Sequence, residues 1–188
     1  MPTEHRLTKI AMGTDLKAAI RIGLDESLRA LEECLNGLSD DQFWAYPLPE
    51  RQNIATLVDH SIQVLDLYAC QVQGAPLTFV PSKPLDAAHR RPAQMRLPTS
   101  QLPTVEQARQ RLGQLQAALQ AVLEPLSETV LRSAPTGCWW SEENPGRTRA
   151  DAYMRAVWHT MSHVRQIWLL RGLLGLTDQA AWPHQHWG

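Results

Sequence analysis

The chain has 188 residues, 44% hydrophobic and 20% charged, with a formal net charge of −1. That is ordinary globular composition, long enough for a single domain to bury a core without staples. It excludes a broad basic field for phosphate backbones or anionic membrane surfaces, so neither nucleic acid nor membrane is an expected partner.

No stretch approaches the ~20 consecutive apolar residues of a membrane helix. Met1 to Asp15 carries Glu4, Arg6, Lys9 and Asp15 and lacks the apolar centre of a secretory signal, so a cytoplasmic location is expected. The three cysteines, Cys34, Cys70 and Cys138, are odd in number and widely spaced. They suggest neither a disulfide framework nor a thiolate zinc site, and are expected to be small buried or half-buried residues.

Strand signals are nearly absent and helical periodicity is plentiful. A first helix is expected from about Asp15 to Asn36, with Ile20, Leu24, Leu28, Leu31 and Leu35 on one stripe and Gly37 as its stop. A loop from Leu38 to Gln52 holds Phe43, Trp44 and Tyr46, read as lids on the end of the helices. Asn53 is placed as the N-cap of a second helix reaching about Gln73, before Gly74 and Pro76.

A proline-rich connection of about thirty residues, Gly74 to Pro103, follows; loops of that length are usually functional or poorly ordered. The third helix opens on the capping box Thr104-Val105-Glu106-Gln107, carries the stripe Val105, Ala108, Leu112, Leu115, Leu119 and Val122, and is bent or shortened by Pro125. A polar loop with Trp139 and Trp140 leads to a fourth helix, about Thr148 to Leu174. The expected fold is all-α: a four-helix bundle with a long crossover between helices 2 and 3. It forms one domain over residues 1–188, its core about 15–176 and its tail 177–188.

Of seven histidines, three fall in these helices. His159 and His163 are four apart, so they share a face with Cβ atoms about 5–6 Å apart and can reach around one ion. A plot at ~100° per residue puts Ala152, Ala156, Gln166 and Leu170 on the same face. It sets His60 beside Leu57, Val64 and Leu67 on the second helix. All three imidazoles are thus expected to point inward and to bind one divalent metal. The competing reading is three hydrogen-bonded core histidines.

Three protein ligands leave coordination positions open, as in catalytic sites. Gln166 is the expected outer partner of the ligands. Thr160 stands where a zincin has its Glu, which disfavours that peptidase mechanism. Asp59 and Asp66 plot away from the site and read as solvated. No general base emerges, and His184 and His186 in the tail are discounted.

The segment "LVDHSIQVLDLY" around His60 and the later "AVWHTMSHVRQIWLLRGLLG" resemble the DinB/YfiT-like metalloenzyme superfamily over roughly Asp15 to Leu176. The resemblance implies a metal held by His60, His159 and His163, namely nickel, zinc or iron with water. It also implies a thiol-dependent S-transferase acting on a small-molecule substrate. There the metal would lower the pKa of a low-molecular-weight thiol, mycothiol or bacillithiol in characterised relatives. The alternatives are a non-catalytic stress-response binding or structural bundle, and a metal-dependent hydrolase. Opposite the histidines, Val157, Met161, Val164 and Trp168 form a second apolar face, with Met154 and Trp158 adjacent. That face, and the frequency of dimers in the family, lead to an expected homodimer.

Overall fold

The computed structural model describes residues 15–91 and 94–176. The expected tail, with His184 and His186, lies outside the described residues, as do residues 1–14 of the expected N-terminal stretch. Among the described residues there are eight α-helices and no strand, so the fold is all-α. Four helices are long: α1 (Leu16–Glu33), α3 (Ile54–Ala69), α5 (Val105–Leu123) and α8 (Arg149–Leu173). Four are short: α2 (Asp40–Trp44), α4 (Lys83–Arg90), α6 (Glu128–Leu131) and α7 (Trp139–Glu143).

Local chemistry starts each long helix. The side chains of Asp15 and Asn53 accept hydrogen bonds from the backbone N–H groups of Ala18 and Thr56, each at 2.9 Å. Thr104 with Gln107, and Thr148 with Asp151, form reciprocal capping boxes. Each cap satisfies a backbone donor that a helix start leaves orphaned, worth about 1 kcal/mol. The apolar stripes then choose the partners. Ile20, Leu24, Leu28 and Leu31 of α1 are buried, as are Ala108, Leu112, Leu115 and Leu119 of α5. α3 packs against α8 and α5, and α1 packs against the same two helices. α3 is buried on nearly every side.

The expected ends shift modestly. The first helix stops at Glu33 rather than Asn36, with Gly37 at φ 70° reversing the chain beyond it. The second stops at Ala69 and continues as a 3-10 turn, Gln71–Gln73, to Gly74. In the stretch expected as an aromatic loop, Phe43 and Trp44 lie on α2: Phe43 is fully buried and Trp44 donates its indole N–H to the Pro103 carbonyl at 2.8 Å. That bond ties α2 to the start of α5. Of the cysteines, Cys34 and Cys70 are buried and Cys138 is partly exposed.

The long connection is more ordered than its prolines suggest. Ser82 caps α4, Pro84 fits its first turn, and Asp86 pairs with Arg90 one turn on. α4 lies against α3. Here the reading of Asp59 and Asp66 as solvated is corrected, because both carboxylates are buried. Asp59 pairs with Arg111 of α5 and accepts from Gln63. Asp66 accepts from the backbone N–H groups of Thr78 and Phe79 at 3.0 and 2.9 Å. α5 covers Asp59, and the connection after α3 covers Asp66.

At the far end, Arg171 is fully buried, donates to the Cys34 carbonyl at 2.8 Å and lies 4.9 Å from the Trp168 ring centroid. A guanidinium at the C-terminal end of α1 meets carbonyls that the helix leaves unpaired. No helix among the described residues is long and apolar enough to cross a membrane.

Candidate metal centre

The structure brings His60, His159 and His163 together. His159 Nε2 lies 2.9 Å from His60 Nε2 and 3.0 Å from His163 Nε2. The three ligand atoms all fall within 4.8 Å of one another. His163 is buried, while His60 and His159 are half-buried at the opening of the site. The approach of α3 to α8 makes this possible: Ala152 and Ala156, fully buried on the histidine face of α8, leave room for the neighbouring backbone.

The chemistry of the set can be tested against a cation. A neutral imidazole nitrogen presents either one proton or one lone pair. With two other imidazole nitrogens at contact distance, His159 Nε2 cannot make a good hydrogen bond to both. A divalent cation accepts all three lone pairs, and nitrogens 2.9–3.0 Å apart can each stand about 2.0–2.1 Å from a shared ion. The donor set fits a metal.

The tautomer of His163 is fixed by its neighbour. Its Nδ1 lies 3.0 Å from Gln166 Oε1. An amide oxygen only accepts, so Nδ1 carries the proton and Nε2 offers its lone pair to the cluster. The imidazoles are also held neutral. Burial, then the surrounding histidines, push His60 down to about 2. Burial and then His163 push His159 down to about 4. His163 is lowered by burial, partly offset by its bond to Gln166. At neutral pH all three are in the form a metal requires. No carboxylate joins the cluster among the described residues, so these neutral ligands would leave the whole charge of a divalent ion in place. Thr160 is fully buried in the core, its hydroxyl without a hydrogen-bond partner.

Sequence reasoning missed a fourth histidine. His89, on α4, stacks face to face on His60, with ring centroids 3.6 Å apart and planes 10° off parallel. It meets His163 edge-on at 5.4 Å. Gln52 donates to the His89 carbonyl at 2.9 Å and so pins the end of α4 beside the start of α3. Burial and then His163 push His89 down to about 4. The signal was present in Ser82, Pro84 and the four-residue spacing of Asp86 and Arg90, which mark a short capped helix within the connection.

His60 and His159 also border an open cavity of about 380 Å³, lined elsewhere by Leu67, Leu77, Phe79 and Arg155 among others. Its volume is at the small end of ligand sites, about 300–1,000 Å³. A family model described as the DinB superfamily matches residues 24–167, a span that contains His60, His159, His163 and Gln166. Among curated proteins, no match is found.

Proposed function

The chain belongs to the DinB superfamily, and from that premise we propose that it is a divalent-metal-dependent enzyme that transfers a thiol to a small-molecule substrate. The observation that carries the reading is the convergence of three neutral imidazole nitrogens at the edge of a ligand-sized cavity.

His60, His159 and His163 would hold the ion, and borderline nitrogen ligands of this kind suit nickel, zinc or iron. Bound there, a divalent cation supplies Lewis acidity that lowers the pKa of a thiol and favours its nucleophilic anion near neutral pH. The protein's own part is orientation and exclusion of water. Gln166 sets the His163 tautomer, His89 lies flat against the His60 ring, and Phe79 and Leu77 wall the cavity with apolar surface. We read the four long helices as a four-helix bundle whose crossover, carrying α4, roofs the site. We further propose a homodimer in the cytoplasm. Val157, Met161, Val164 and Trp168 of the expected contact face pack into the chain's own core. The support for a subunit contact is therefore exposed Met154 and Trp158, the latter 74% accessible, which light scattering on the purified protein would test.

Elemental analysis of the untagged protein tests the central reading. About one nickel, zinc or iron per chain is expected, lost in His60→Ala and His163→Ala variants that keep their helical circular dichroism. Thiol-dependent consumption of a chromogenic electrophile should follow the metal content. A protein that takes up neither nickel nor zinc at neutral pH would sink the proposal. Turnover of esters or amides without any thiol would move it to hydrolysis.

A further inference from the structure

The charged groups around the cavity beside His60 and His159 sum to zero but differ in how they are partnered. Four ionised side chains line it: Asp66, Asp86, Arg90 and Arg155. Asp66 spends both oxygens on the backbone N–H groups of Thr78 and Phe79. Asp86 and Arg90 neutralise each other, with Arg90 Nε 3.1 and 3.0 Å from the two Asp86 oxygens. Arg155 makes no hydrogen bond or ion pair with any described residue. Asp151, one turn before it on α8, is committed to Thr148 and Arg147.

Arg155 is also placed to matter. It precedes His159 by four residues on α8, so the two side chains rise from the same face one turn apart. Its charge therefore stands at the cavity wall beside the metal ligands. The same wall has apolar surface from Val64, Leu67, Leu77, Phe79 and Pro81, beside Gln63 and Tyr68. A guanidinium with all its donors available, in a cleft that also offers apolar surface, is matched by a planar oxyanion that takes two parallel N–H bonds.

We propose that this cavity binds a small carboxylate, its anionic group on Arg155 and its apolar body against Leu67, Leu77 and Phe79. As a substrate assignment the inference rests on the enzyme reading above; as a binding site it stands on the cavity and on Arg155. The anion also has a consequence for orientation. Anchored one helical turn from His159, the substrate's apolar body is directed along the wall that contains His60 and His159, toward the converging nitrogens.

The test uses 3-phenylpropionate and its neutral isostere 3-phenylpropionamide, titrated by ligand-observed NMR into the full chain. The protein is used as purified, with its metal content measured, and again after chelation. The carboxylate is expected to bind about tenfold more tightly than the amide, the scale of one charge-assisted hydrogen-bonded pair. R155Q should reduce that preference to about unity and R155K should retain part of it. The double variant D86N with R90Q, which removes an already neutralised pair from the same wall, should change it less than about twofold.

No carboxylate binding at about 10 mM, or a preference that survives R155Q, would overturn the proposal. A preference unaffected by R155Q but abolished by chelation would put the anion on the metal; this overturns the Arg155 site and leaves the metal reading intact. A preference that depends on Arg155 in a protein that takes up no metal supports the anion site while the enzyme reading fails.

Discussion

Replacing Gln166 with Leu removes the acceptor, 3.0 Å from His163 Nδ1, that holds the proton on that nitrogen, and metal binding should weaken by about tenfold. The magnitude follows from what that bond does. Without it, the ring is free to move its proton to Nε2, and two comparably populated tautomers would cost only about 0.4 kcal/mol. Loss of ring orientation and of ligand basicity adds to this, and removal of such partners usually costs 10–100-fold in affinity. Gln166 itself is exposed, so water can take over part of its role, which puts the expectation at the low end. Tenfold corresponds to about 1.4 kcal/mol. Competition with a chromophoric zinc chelator at neutral pH measures it directly. Gln166→Glu keeps an acceptor and should bind zinc as tightly as the parent or more so. If the Leu variant stayed within about twofold of the parent while correctly folded, the tautomer argument would be wrong.

The Asp59–Arg111 pair offers a stability test. Arg111→Met would leave a carboxylate that is 1% exposed without its cation, and would remove the guanidinium lying 4.8 Å over the Phe79 ring. Breaking a buried pair costs about 3–5 kcal/mol. Because the Arg111 side chain is 23% exposed, the lower figure applies, a fall in Tm of about 6–12 °C. The double variant Asp59→Leu with Arg111→Met should recover most of this in calorimetry, and no recovery would show that the pair's charge is not the cause. A second stability test is pH. His60, His89 and His159 titrate below their ordinary value, at about 2, about 4 and about 4. Between pH 6.5 and 4 the unfolded chain therefore binds more protons than the folded one, and stability falls as pH falls. Metal-stripped protein should hold its Tm from pH 8 to 7 and lose it progressively toward pH 5; a flat or rising profile would contradict the buried, neutral histidines.

Much of this architecture was legible from local pattern, for local reasons. Asn53, Thr104 and Thr148 mark helix starts because a cap involves only residues within one turn. His159 and His163 could be paired because a four-residue spacing fixes a shared face. The inward direction of His60 followed from the apolar neighbours on its own helix. Gln166 was found by the same rule, one turn beyond His163.

What periodicity does not carry is the identity of whatever lies over a helix face. Asp59 and Asp66 were placed on the side of α3 away from the histidines. Only tertiary structure showed that Arg111 arrives to pair with Asp59, and the Thr78 and Phe79 backbone to hydrogen-bond Asp66, burying both. His89 joined the site for the same reason, since its stacking on His60 depends on where α4 folds back. The significance of Arg155 likewise required seeing which neighbouring charges were already spent. Helix starts and faces arise from contacts within a few residues, whereas burial and charge balance arise from contacts across dozens. That is why the sequence alone determined the four long helices and the histidine triad, and folding alone decided the walls around it.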